Sequence, residues 1–276
     1  MYIHWIMKRP LSGVELEILE SRISNLAPSY WHKNLDNRPC GRLYYIKKGI
    51  GYIRTFGREY KLVPGHLYLV PPGGDFAYGC RQDLQIWWLH FTARLYSCID
   101  LFDYLPYEVE IVPGELKQVE RRLLRLIEIH KSEGARNQLE CNGLLLQFLA
   151  SFFRDPDTEH LSRVQKARIR FLPVLRYIDE HLGEKLPVEL LAKMACYEKS
   201  HFSTLFTAVI GSPPSKYVMR KRLEQAQLIM RKSDIKLDIL ARQLGFSDAF
   251  HFSKAFKRHT GHSPAEYRTM RQQGMP

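Results

Sequence analysis

Residues 191–270 say nearly the same thing twice, and a tandem repeat limits what a chain can fold into more than any single motif does. LAKMACYEKSHFSTLFTAVIGSPPSKYVM runs from Leu191 to Met219, and LARQLGFSDAFHFSKAFKRHTGHSPAEYRTM from Leu240 to Met270. Leu191-Ala192 answers Leu240-Ala241, and His201-Phe202-Ser203 answers His251-Phe252-Ser253. Phe206, Gly211, Pro214 and Tyr217 answer Phe256, Gly261, Pro264 and Tyr267. The offset is 49 residues at the start and 50 after His201, and the extra residue of the second copy is assigned to Phe250. Two copies are too few for a solenoid, so a small unit duplicated and joined is expected.

Each copy reads as helix, tight turn, helix. In the second, Ile235, Ile239, Leu240 and Leu244 line one helix face, and Gly245 stands where the turn needs a positive φ. Ser247 is placed to cap the next helix. That helix turns Phe252, Ala255 and Phe256 inward and leaves Ser253, Lys254, Lys257 and Arg258 largely on the other side. A short glycine turn before a helix that is small, polar and basic outside is the helix-turn-helix pattern. The first copy departs from it in two ways. Cys196 replaces the glycine, and the outer face of Lys199, Ser200, Ser203, Thr204 and Thr207 is rich in hydroxyls. SKYVMRKRLEQAQLIMRKS between the copies contains no Gly or Pro and predicts a rod of about 25 Å. Such a rod suits two recognition helices set near the ~34 Å repeat of successive major grooves.

The charge distribution agrees. The chain of 276 residues carries a formal net charge of +12. From Arg168 onward there are 19 Lys and Arg against 10 Asp and Glu, so +9 lies in the repeat region and +3 in the rest. An anionic partner is implied, either nucleic acid or an anionic membrane surface. No apolar run reaches the ~18 residues a membrane span needs, and MYIHWIMKRPLSG has too short an apolar core for a signal peptide. Five scattered cysteines, Cys40, Cys80, Cys98, Cys141 and Cys196, without a CxxC, read as reduced thiols in a cytoplasmic protein.

Before the repeat the text changes twice. Residues 1 to about 40 are poorly periodic and read as an arm. From Arg42 to Phe91, short runs such as RLYYI, IGYIRTF, LYLV and LQIWWLHF alternate with KKG, GREY and PPGG, which predicts a compact sandwich or barrel. From about Glu115 the period becomes helical. Leu116, Val119, Leu123, Leu126, Ile127 and His130 share a face, Gly134 interrupts, and the apolar run Leu144 to Phe153 belongs to a second helix. That helix is buried in its own domain or against a second subunit, and we expect the latter. Polar residues 155–167 are the expected linker. Helical text resumes near Phe171, with Pro173 tolerable only in a first turn.

At this point LAR-x-LGFSD-x-F-x-FSKAFKRHTGHSPAEYR resembles the signature of the AraC/XylS family of bacterial transcription regulators, over about Phe171 to Arg268. GREYKLVPGHLYLVPPGGDFAYG, Gly57 to Gly79, and WLHF, Trp88 to Phe91, resemble the barrel of that family's sugar-responsive members. The resemblance implies a multidomain α and β chain. Residues 1–112 would form an arm and a cupin-like ligand-sensing β-barrel, and 113–154 a helical dimerisation segment. Residues 168–276 would form an all-α domain with helix-turn-helix units at 187–210 and 236–260 joined by a linking helix. It also implies double-stranded promoter or operator DNA, a small-molecule effector of the sugar class, a homodimer and RNA polymerase as partners. No cofactor, no metal and no membrane are expected.

By resemblance and helix phase, Lys199, Ser200, Ser203, Thr204 and Thr207 face DNA in the first unit, and Asp248, Ala249, Ser253, Lys254 and Lys257 in the second. Lys257, Arg258, Arg220 and Arg222 are assigned to phosphates, which position without specifying. Asp248 either accepts from a cytosine amino group or caps its helix. In the barrel, Lys48, Tyr78, Ile86, Trp88 and His90 match the ligand-holding positions. Lys48 and Ile86 stand where those members carry arginine and histidine, so arabinose itself is not expected. Two other classes remain: an architectural DNA binder whose barrel only dimerises, and a metal-dependent cupin enzyme. The second needs several His and a Glu converging on a metal, and only His66 and His90 lie on barrel strands.

Overall fold

The computed structural model describes residues 13–29, 31–33, 38–73, 76–154 and 167–272. Residues 1–12 of the expected arm and 155–166 of the expected linker lie outside these. The chain divides into two compact units. One is mainly Leu16–Ala93 with Leu105–Asp155, and the other gathers Arg94–Tyr104 with Pro156–Gly274.

The first unit is built on two antiparallel sheets. One has the order β1-β8-β3-β6-β10, from Val14–Leu26, Leu84–Leu95, Gly41–Lys48, Leu67–Val70 and Glu110–Ile111, with β9, Ile99–Asp100, paired to the end of β8. The other has β2-β7-β4-β5, from His32–Lys33, Ala77–Cys80, Gly51–Thr55 and Arg58–Leu62. One apolar core joins them, with Tyr44, Ile46, Tyr68, Ile86 and Trp88 from the first sheet against Ile53, Leu62 and Tyr78 from the second. Much of the expected arm is strand. Val14, Leu16 and Ile18 alternate with Glu15 and Glu17, and the exposure of the side chains follows that alternation.

Helices α2 (Leu116–Ile129) and α3 (Ala135–Phe152) complete this unit, after a short α1 (Leu101–Tyr104) that belongs to the other. The outer face of β3 meets α2, where Tyr45 Oη and Lys47 Nζ donate to Glu120 at 2.6 and 2.7 Å. His130, just past α2, reaches Ser21 Oγ at 2.9 Å and the Ile18 carbonyl at 3.1 Å, tying the helix to β1. The apolar α3 was expected to face a second subunit. Cys141, Leu145, Phe148, Leu149 and Phe152 of this helix are buried in the unit, while Leu139 and Leu146 are 73% and 44% exposed and remain open to a partner.

The second unit holds the repeat. α4 (Leu172–Glu180) carries Pro173 in its first turn, where the missing N–H costs nothing. α5 (Val188–Met194) and α6 (Lys199–Ile210) form the first helix pair, α7 (Pro214–Lys232) links, and α8 (Leu237–Gln243) and α9 (Ala249–Thr260) form the second. α10 (Pro264–Gln272) follows. Equivalent rings pack equivalently: Phe206 meets Tyr217 edge-on at 5.5 Å, and Phe256 meets Tyr267 at 5.3 Å. Among the described residues no helix is long and apolar enough to cross a membrane.

Candidate functional site

The two turns show how the repeat is built. Tyr197 and Phe246 each close their turn by donating N–H to Ala192 and Ala241. Both turns need a left-handed residue, supplied by Gly245 at φ 70° and, without glycine, by Cys196 at φ 57°. Gly245 is also confined, because an added Cβ would come 2.7 Å from an Arg222 nitrogen. Tyr197 and Phe246 are thus repeat mates at an offset of 49, whereas the helix caps Glu198 and Asp248 are mates at 50. The inserted residue is therefore Ser247 in the turn, and not Phe250. Phe250 is the mate of Ser200.

The cap is corrected as well. Asp248 Oδ1 accepts the His251 N–H at 2.7 Å, and Ser247 Oγ donates to the other Asp248 oxygen at 2.9 Å. Those bonds hold the Asp248 carboxyl below its usual range, the His251 N–H first among them.

Both recognition helices bury their phenylalanines, Phe202 and Phe206, Phe252 and Phe256. The opposite faces are open. On α6, Lys199, Ser200 and Thr204 are exposed and Ser203 and Thr207 half-buried; on α9, Lys254, Lys257 and Arg258 are exposed and Ala249 and Ser253 half-buried. Ser203, Thr204, Thr207 and Ser253 each donate to the carbonyl four residues back, at 2.7–3.1 Å. The hydroxyl oxygens are left as outward acceptors. Lys199 pairs with Glu189 at 2.5 Å on the surface.

Two of the expected phosphate contacts are engaged elsewhere. The Arg222 guanidinium donates to the carbonyls of Leu182, Gly245 and Glu184, at 2.8, 3.2 and 2.5 Å. It locks the second turn to the segment after α4, so its donors point into the protein. Arg220 lies over the Tyr217 ring and donates to Glu224 at 2.7 Å, which neutralises it one turn away. A sequence shows an arginine's charge, but not a carbonyl brought near from 40 residues away.

Inside the sandwich, β3 and β8 pair Tyr44 with Trp88, Ile46 with Ile86 and Arg42 with His90, so these six side chains share a face. All are buried. Trp88 donates its indole N–H to Ser24 Oγ at 2.9 Å, and its ring lies 4.7 Å from that of His90. Tyr78 stacks on Trp31 at 4.8 Å, and Arg42 lies over Phe76 at 4.4 Å. Tyr78, Ile86, Trp88 and His90 are thus brought together. Lys48 is not, because the register shifts between Ile46 and Lys48 and turns it out to solvent. Arg42 and Tyr44 were readable from alternation back from Ile46; Trp31, in irregular chain, left no signal. His66 is taken by Glu110 at 2.7 Å, and among the described residues no three His, Cys, Asp or Glu groups converge as a metal site.

Residues 191–270 match the model of a helix-turn-helix domain, and residues 41–149 that of an AraC-like ligand binding domain. The chain is 28% identical over 261 residues to the arabinose operon regulatory protein of Escherichia coli K12, covering 89% of this chain and 88% of that one. It is 27% identical over 255 residues to the MmsAB operon regulatory protein of Pseudomonas aeruginosa, 84% of this chain and 76% of that one. In fold it is similar to ToxT from Vibrio cholerae, with a TM-score of 0.58 at 10% identity over 94% of this chain and 99% of that chain.

Proposed function

The chain belongs to the AraC family of transcription regulators, with a ligand-binding domain and a DNA-binding helix-turn-helix domain, and from that premise we propose that a sugar or sugar derivative is its effector and that it controls carbohydrate-utilisation genes. The observation that carries the effector class is the inner face of β3 and β8. An indole, a tyrosine, an imidazole and a guanidinium gather on that buried surface, and Tyr78 of the other sheet joins the same core. Aromatic rings suit the apolar face of a sugar ring, and the polar groups suit its hydroxyls. Binding there favours one arrangement of the chain over another, and that difference in affinity shifts DNA binding. The regulator acts in the cytoplasm as a homodimer through the exposed Leu139 and Leu146 of α3, with RNA polymerase as the partner at the promoter.

The exposed faces of α6 and α9 are the DNA interface in this reading, with base readout near the helix starts and Lys257 and Arg258 on phosphates. A gel shift on the neighbouring promoters at moderate salt tests it, and no binding above competitor DNA would sink it. A thermal-shift panel tests the effector. A ligand at 100-fold its dissociation constant adds about 2.7 kcal/mol of stability. A flat response to every sugar would favour the second reading, in which the sandwich only holds the dimer. That reading has its own support in the tight ring packing of Trp31 on Tyr78.

A further inference from the structure

Phe250 is 80% exposed, the most exposed large apolar side chain among the described residues. It stands in the first turn of α9, one residue after Ala249. At about 100° per residue, Phe250 falls about 100° round from Ala249. On the same scale Ser253, Lys257 and Lys254 fall near 40°, 80° and 140°, and buried Ala255, Phe252 and Phe256 at roughly 240–340°. Phe250 is therefore at the middle of the open face, with exposed Lys254 one turn further along and exposed Lys257 and Arg258 about two turns along. An uncovered phenyl ring on a face that carries cations one and two turns further along suits an anionic partner that also presents an apolar group. The major groove of DNA is such a surface: phosphates line it, and on its floor thymine alone among the four bases carries an apolar group, the C5-methyl.

We propose that Phe250 reads a thymine methyl in the major groove and is a base-specifying residue of the second unit. The inference rests on the DNA-binding reading above and extends it to the chemistry of one base edge. In the first unit the same helix position is Ser200, a hydroxyl. The two units then differ in kind at the centre of their reading faces. The first recognises polar edges there, and the second an apolar one.

Sites selected from random duplexes by the full-length protein test this. The wild type is expected to enrich an element with an invariant T·A pair. Phe250→Ser, which copies the first unit, is expected to lose that preference and keep the rest of the element. Phe250→Leu, still apolar, is expected to retain it. Replacing that thymine by deoxyuridine removes only the methyl. The expected cost to the wild type is about fourfold in affinity, the value of one buried methyl-sized group, with no cost to Phe250→Ser. Equal melting temperatures for the three proteins establish that the fold is unchanged. An enriched element whose thymines tolerate deoxyuridine, or whose preferences survive Phe250→Ser, overturns the inference and leaves DNA binding intact. Failure of the wild type to enrich any element overturns DNA binding itself, and the inference with it.

Discussion

Lys221 Nζ lies 3.1 Å from Asp179 Oδ1, and the two side chains are only 9% and 13% exposed. The pair joins the linking helix α7 to the end of α4. Arg94 approaches the other carboxylate oxygen at 3.9 Å. Burial raises the Asp179 carboxyl above its usual range in spite of both cations. Removing the lysine would leave the buried carboxylate with only the more distant Arg94, and breaking a buried pair costs about 3–5 kcal/mol. Lys221→Met is expected to show that loss in urea unfolding. Adding Asp179→Asn is expected to recover most of it, because no charge is then stranded.

Arg222 and Lys257 separate structure from DNA contact. Arg222→Ala removes hydrogen bonds to three carbonyls, and is expected to cost at least about 2 kcal/mol of stability without changing the salt dependence of DNA binding. Lys257→Ala is expected to leave stability within about 0.5 kcal/mol and to flatten the salt slope by about one unit. Paired unfolding curves and salt titrations check both.

Asp100 makes the helical unit sensitive to pH. Its carboxyl is raised to about 7, by desolvation first and by neighbouring Asp103 second. The folded state thus holds a proton that the unfolded chain, near 3.9, has released. Stability from this group is complete below pH 4 and is lost as pH rises through 7. Asp100 Oδ1 also accepts the Phe102 N–H at 3.0 Å, which Asn can still do. Asp100→Asn is expected to flatten the fall in melting temperature between about pH 4 and 7, the interval between the unfolded and folded values.

The exposed leucines of α3 test the dimer. Leu139→Glu places a charge where an apolar contact is proposed, and is expected to weaken association by at least about 30-fold, the size of an interface hot spot. Sedimentation velocity over a range of concentrations checks it. A wild type that stays monomeric removes α3 as the dimer face.

Much of the helical unit was legible because its information is local. Period 3.6 places Phe252 and Phe256 inside and Lys254 and Lys257 outside, and the fold has them there. The same arithmetic places Phe250 on the open face once the inserted residue is Ser247 in the turn, which leaves Phe250 as the mate of Ser200. Lys48 leaves the inner face for a reason that alternation does not carry. Alternation along β3 holds as far as Ile46, and then one register shift reverses its sense.

The sequence by itself determined the duplicated helix pairs, the strand-rich segment before them, the basic charge of the C-terminal part and the family. All of these follow from near neighbours along the chain, through repeat spacing, side-chain period and turn residues. Only the tertiary structure decided that Arg222 is spent on carbonyls from Leu182, Glu184 and Gly245, that Asp248 and not Ser247 caps α9, and that α3 buries most of its apolar run in its own unit. Capture of a charged or apolar side chain depends on which groups folding brings within hydrogen-bond or contact range, and apart from the cap those groups lie far off in the sequence.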